Sequence, residues 1–171
     1  IILILNYKPI NLNVVIFSRH NPSLFEYELR TQILKDFANQ IADTSPKIQR
    51  TNMEYCFYEE DSEIDADWLL FLWSNMDVYI MEESLFEKFQ LAGISFSSIE
   101  LEKLSDYRQA ASTINKESNL VEQVQINQNS YLYRYICNWE NRDKVWVAVI
   151  AYDAKHMEEA LSFLRLITDR D

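Results

Sequence analysis

The residues from Glu59 to Asp67 place six carboxylates in nine positions, and Asp61, Glu63, Asp65 and Asp67 alternate as the first ligands of a calcium loop do. Calcium chemistry asks for more than that. A calcium-binding EF-hand loop starting at Asp61 needs glycine at position 66 for its sharp turn and glutamate at position 72, whereas this chain has Ala66 and Leu72. Ser62 and Asp65 instead have the spacing of a capping box, which places Glu63, Asp65 and Asp67 near the positive end of a helix dipole. Glu59, Glu60 and Asp61 fall outside that helix and are not explained by it. The apolar run behind them is wide: Ile64, Trp68, Phe71 and Leu72 share one side of a helix, and Leu69, Trp73 and Met76 spread toward another. Such a helix is either buried between layers or, with Trp beside carboxylates, a binding surface for a basic protein. On the second reading the partner-binding residues are Glu59, Glu60, Asp61, Trp68 and Trp73.

Three further groups bear on chemistry. Arg19 and His20 lie in "SRHN", at a strand end that feeds a helix N-terminus, where free backbone donors and positive side chains suit a small anion. His156 and Glu159 are three residues apart on the expected last helix and are positioned to share a metal, with Asp153 as the helix cap in the plainer reading. A joint site of Arg19, His20 and His156 requires the two segments to be neighbours. Finally, Tyr131, Tyr133, Tyr135 and Cys137 alternate along an expected strand, which buries them under a helix or leaves them open for stacking.

The elements that must position these groups follow from period and punctuation. The apolar run "ILIL", separated by the turn-type "NYKPIN" from Leu12–Phe17, reads as β-rich like its successor, and Met53–Tyr58 and Asp77–Met81 read as strands. After Asn21 as cap and Pro22 as first helical residue, Phe25, Leu29, Ile33, Phe37 and Ile41 recur every four residues, with Leu34 and Ala38 widening the stripe, and mark a helix that ends before Pro46. Ser84 with Glu87 starts a short helix, Leu85 to Ala92, closed by Gly93; Ser97 with Glu100 starts a polar one running to about Ile114. The runs "LVEQVQI", "SYLYRYICNW" and "KVWVAVIAY" read as a three-stranded antiparallel meander, and an amphipathic helix from Ala154 to about Thr168 ends the chain. The expectation is an α+β fold: a mixed or antiparallel sheet with a C-terminal meander, helices packed mainly on one face, and one domain over 1–171.

Composition narrows the function classes. The chain has one glycine in 171 residues, which excludes a Walker A loop, a dinucleotide fingerprint and a G-x-S-x-G elbow. No motif calls for a cofactor. A net charge of -11 argues against nucleic acid and anionic membrane as partners, and no segment has the roughly 18 unbroken apolar residues of a membrane span. Cys56 and Cys137 lack metal spacing and read as reduced and buried, which favours a cytoplasmic setting. The apolar start "IILIL" has no basic flank and makes a poor signal peptide. The reading that results is a soluble, non-enzymatic acidic protein that binds a basic partner, of the immunity, inhibitor or chaperone type. The alternative is an enzyme, or an anion- or metal-binding protein, with its site near Arg19, His20 and His156.

Overall fold

The computed structural model describes residues 9–19, 22–58, 73–104, 119–126, 128, 132–133 and 144–168. The β-branched run Leu12–Ser18 forms β1 and is followed by helix α1, Leu24–Thr44, which leads into strand β2, Thr51–Phe57. Strand β3, Val78–Glu82, runs directly into helix α2, Glu83–Leu91. The short strands β4 (Ile99–Glu100), β5 (Leu120–Val121) and β6 (Val124–Gln125) precede β7, Trp146–Ile150, and helix α3, Met157–Thr168. Five strands form a mixed sheet in the order β2-β1-β3-β7-β6, and β4 pairs with β5 in a small second sheet. Strands β2, β1 and β3 are parallel, while β7 is antiparallel to both β3 and β6. The fold is α+β.

Strands β1, β3 and β7 are almost wholly buried because both faces of the sheet are covered. Leu12, Val14 and Ile16 meet Leu34, Phe37 and Ile41 of α1 and Leu161, Phe163 and Leu164 of α3 in one core. Val15, Phe17, Tyr79 and Met81 meet Leu85, Phe86 and Phe89 of α2 in the other. The two longer described helices thus share one face, and the shorter lies on the opposite one.

Several expectations shift. Helix α1 is capped by Ser23, whose Oγ accepts the Glu26 N–H at 3.3 Å; Pro22 precedes the cap, and Asn21 lies outside the described residues. Its buried stripe is Arg30, Leu34, Phe37, Ala38 and Ile41, while Phe25 and Leu29 are exposed. A four-residue repeat advances about 40° per step on a helix of 3.6 residues per turn. The row starting at Phe25 therefore rotates off the sheet, and only its last members, Phe37 and Ile41, remain inside, together with Leu34 and Ala38, which widen the stripe as expected.

Helix α2 starts at Glu83, with Glu82 in the cap position and no side-chain cap bond, so Ser84 is not the cap. Gly93 does close it, at a φ of 80°. The expected polar helix after Ser97 is replaced at its start by β4 and a 3-10 turn, Leu101–Lys103; the Ser97 Oγ donates to the Ala151 carbonyl at 2.9 Å instead of capping. The meander is only partly formed. Its outer members β6 and β7 pair directly, Val124 with Ala148 and Gln125 with Val147. Leu132 and Tyr133 are helical and both buried, which adjacent residues of a strand with one open face are not. The remainder of that expected strand, the run "ILIL" and the helix expected after Ser62 as far as Leu72 lie outside the described residues; Trp73, which the helical reading included, lies in a turn with Ser74 and Asn75.

Candidate functional site

The three parallel strands end together, and their carboxyl ends carry the first polar cluster. In such sheets the crevice beyond the carboxyl ends is where ligands bind, at the point where successive connections leave in opposite directions. Here β1 connects outward to β2 on one side, and β3 lies on the other. Arg19 follows β1, Tyr58 follows β2, and Glu82 and Ser84 lie at the β3–α2 junction. The Arg19 guanidinium meets Glu82 at 3.1 Å and donates to the Ser84 Oγ at 2.6 Å and the Tyr58 hydroxyl at 3.3 Å. Glu82 is buried, so this ion pair is held with little solvent screening and ties the ends of β1, β2 and β3 together. Arg19, singled out for anion binding, thus faces an internal carboxylate; His20 lies outside the described residues.

His156 belongs to the opposite end of the sheet. Asp77, just before β3, is 1% exposed and has its carboxylate filled. Its Oδ2 accepts the Asn13 N–H at 2.9 Å and lies 2.9 Å from the His156 Nδ1, and its Oδ1 accepts the N–H groups of Lys155 and His156, each at 3.0 Å. The last helix therefore starts at Met157, not Ala154, with the His156 carbonyl accepting the Ala160 N–H at 2.9 Å and Asp153 outside the helix. His156 turns its Nδ1 to Asp77, and among the described residues no three His, Cys, Asp or Glu side chains are grouped to hold a metal. Asn13, beside Asp77, lies six residue steps along β1 from Arg19, a span of about 20 Å at 3.3 Å per step. Arg19 and His156 are not brought together.

Trp73 is the one proposed partner-binding residue among those described; Glu59, Glu60, Asp61 and Trp68 fall outside them. Trp73 is half-buried, packs against the core on the α2 face, and accepts the Tyr79 hydroxyl through its carbonyl at 3.0 Å. Burial pushes the Tyr79 hydroxyl pKa up to about 12, with the negative charges of Asp153 and Asp77 acting in the same direction. Cys56 is a free thiol but half-buried, not fully buried as expected; burial raises its pKa, and a hydrogen bond with Trp73 partly offsets that. Trp73 also closes a cleft of ≈ 760 Å³ between α1 and β2, with Lys35 and Asn39 on its helical wall and Arg50 to Tyr55 on the other.

Where β2 ends, one aromatic contact joins it to α1. The Tyr27 ring meets Phe57 edge-on at 5.8 Å, and Phe57 stacks on Tyr55 at 5.4 Å. The buried guanidinium of Arg30 lies over both β2 rings, 5.9 and 5.8 Å from their centroids, and pairs with Glu26 at 3.3 Å. Around this contact Leu24, Phe25, Tyr27 and Leu29 are exposed. Arg30, Asp77 and Glu82 were not singled out from the sequence. The available signals were a basic residue in the Arg30–Leu34–Ala38 row and acids flanking the apolar run 78–81.

Comparison with known proteins finds no matching family model, curated protein or solved structure.

Proposed function

We propose that the protein is a non-enzymatic interaction module that engages a basic protein partner at the carboxyl end of its parallel strands. The observation that supports this is the contact between Tyr27 and Phe57. It sets the exposed apolar start of α1, with Leu24 and Phe25, beside the point in the chain from which Glu59, Glu60 and Asp61 follow Tyr58. Apolar anchors bordered by carboxylates suit a basic surface: desolvated side chains supply the affinity, and the charges steer encounter and select sign. The net charge of -11 acts in the same direction at long range. Immunity, inhibitor and chaperone roles all use this chemistry, and a cytoplasmic setting suits a free Cys56. No helix among the described residues is long and apolar enough to cross a membrane.

The test is capture from the native source on immobilised protein, comparing wild type with the triple variant Glu59→Gln, Glu60→Gln, Asp61→Asn. Basic proteins released by moderate salt, and lost from the triple variant while its circular dichroism is unchanged, are the expected outcome. A captured set that is not basic, or is identical for both proteins, overturns the reading.

A further inference from the structure

A small pocket lies at the end of the sheet that holds Asp77, away from the Arg19 cluster. Its floor is the ring pair of Tyr79 and Phe96, 6.1 Å apart and edge-on, and its volume is ≈ 200 Å³. Three backbone segments wall it. The turn at 73–75 is closed by the Met76 N–H on the Trp73 carbonyl at 3.3 Å, and the Tyr79 hydroxyl donates to the same carbonyl at 3.0 Å. The segment after α2 is fixed by the Ile94 N–H on the Phe89 carbonyl at 3.0 Å and by the bridge of Phe96 with Ala151. The third is a turn closed by the Ala154 N–H on the Ala151 carbonyl at 3.2 Å, which puts Tyr152 and Asp153 at its corner. The site is therefore preformed, and its polar side chains, Ser74, Ser95 and Asp153, come one from each segment.

The charge in this pocket has one sign. Among the described residues that line it, Asp153 is the one acid, and there is no Lys, Arg or His. Lys155, two positions along, gives its backbone N–H to Asp77, and neither it nor another described cation forms an ion pair with Asp153. The Tyr152 ring is 78% exposed and makes no ring contact among the described residues. Burial is the main reason the Tyr79 hydroxyl holds its proton, and the Asp153 charge acts in the same direction, so the field of that carboxylate reaches the pocket floor.

We infer that this pocket takes one arginine side chain of a protein or peptide partner, its guanidinium paired with Asp153, bonded to the Ser74 and Ser95 hydroxyls and stacked on Tyr152. A volume of ≈ 200 Å³ is below the roughly 300–1,000 Å³ of sites that enclose a whole drug-sized ligand, and it suits a single side chain. A carboxylate, hydroxyl acceptors and an open aromatic face complement a guanidinium, which is planar, stacks on rings and carries a fork of N–H donors. An ammonium offers fewer donors and no plane to stack. The net charge of -11 favours the approach of a cation. The pocket is at the opposite end of the sheet from the basic-partner surface, and the inference stands whether or not that surface is used.

The test is titration of the isotope-labelled whole protein with N-acetyl-arginine amide, N-acetyl-lysine amide and the neutral isostere N-acetyl-citrulline amide, read from backbone amide shifts in nuclear magnetic resonance spectra. The arginine compound should shift the amides of Ser74, Ser95 and Tyr152 with a dissociation constant on the order of a millimolar. The citrulline compound should bind about fivefold more weakly or worse, and Asp153→Asn should weaken arginine binding about fivefold, the factor that an ion pair at the upper end of the exposed range supplies. Tyr152→Ala should weaken it about threefold through the lost ring face. Citrulline binding equal to arginine, or arginine binding unaltered by Asp153→Asn, overturns the inference. So does lysine binding as tightly as arginine, which indicates a general cation site, and so do shifts spread over acidic surface residues with none at the pocket.

Discussion

The carboxylate of Asp77 holds the imidazole of His156, 2.9 Å from Oδ2 to Nδ1, across 79 positions of sequence. The same carboxylate accepts backbone N–H groups from β1 and from the segment entering α3. One buried side chain therefore joins β1, β3 and the last helix. Asp77→Ala removes all four bonds and leaves their donors unpaired, and an expected loss of about 3–5 kcal/mol follows from breaking so buried a cluster. His156→Gln keeps the backbone bonds and should lose about 1 kcal/mol. Urea denaturation of both variants checks the ranking; equal losses would show that the imidazole, not the backbone bonding, dominates.

Tyr79 supplies a pH dependence. Its pKa is raised from 10.0 to about 12 by burial and by neighbouring carboxylates, so the folded protein holds this proton more tightly than the unfolded chain. The stabilising contribution is complete below pH 10 and is lost as pH rises toward 12. Ultraviolet titration should show a late-ionising tyrosine component that is absent from Tyr79→Phe. A Tyr79→Phe titration curve with an unchanged high-pH component contradicts the assignment.

Gly93 is the only glycine of the chain and sits at a φ of 80° after α2, with no atom within 4 Å of the point a Cβ would occupy. Space is not the constraint there; backbone conformation is. Gly93→Ala should destabilise by about 1 kcal/mol and Gly93→Asn by less, since Asn tolerates the left-handed region. Thermal denaturation of the pair distinguishes this from a steric origin, which would rank Asn worse.

Ser23 caps α1 through the Glu26 N–H. Ser23→Ala should cost about 1 kcal/mol and Ser23→Asp much less, because aspartate restores the acceptor. Chemical denaturation checks both, and equal losses in the two variants would argue against a capping role.

Composition and local pattern alone determined the α+β class, strands β1, β2 and β3, the ends of α1 near Thr44 and of α2 at Gly93, and the exclusion of glycine-dependent phosphate loops. These are short-range properties: side-chain period, a proline that disfavours helix before it, a glycine that accepts positive φ. What tertiary structure decided was which polar groups meet. The capping pattern at Ser84 was sound locally, yet its hydroxyl binds Arg19 because β1 and β3 are neighbours. Arg30 is inside because the aromatic pair Tyr55 and Phe57 of β2 receives its guanidinium, and no helical period announces that. Arg19 and His156 are apart because β1 runs its length between them. Strand order and register join residues far apart in the chain, and a single sequence records the faces of its elements but not which of them lie side by side.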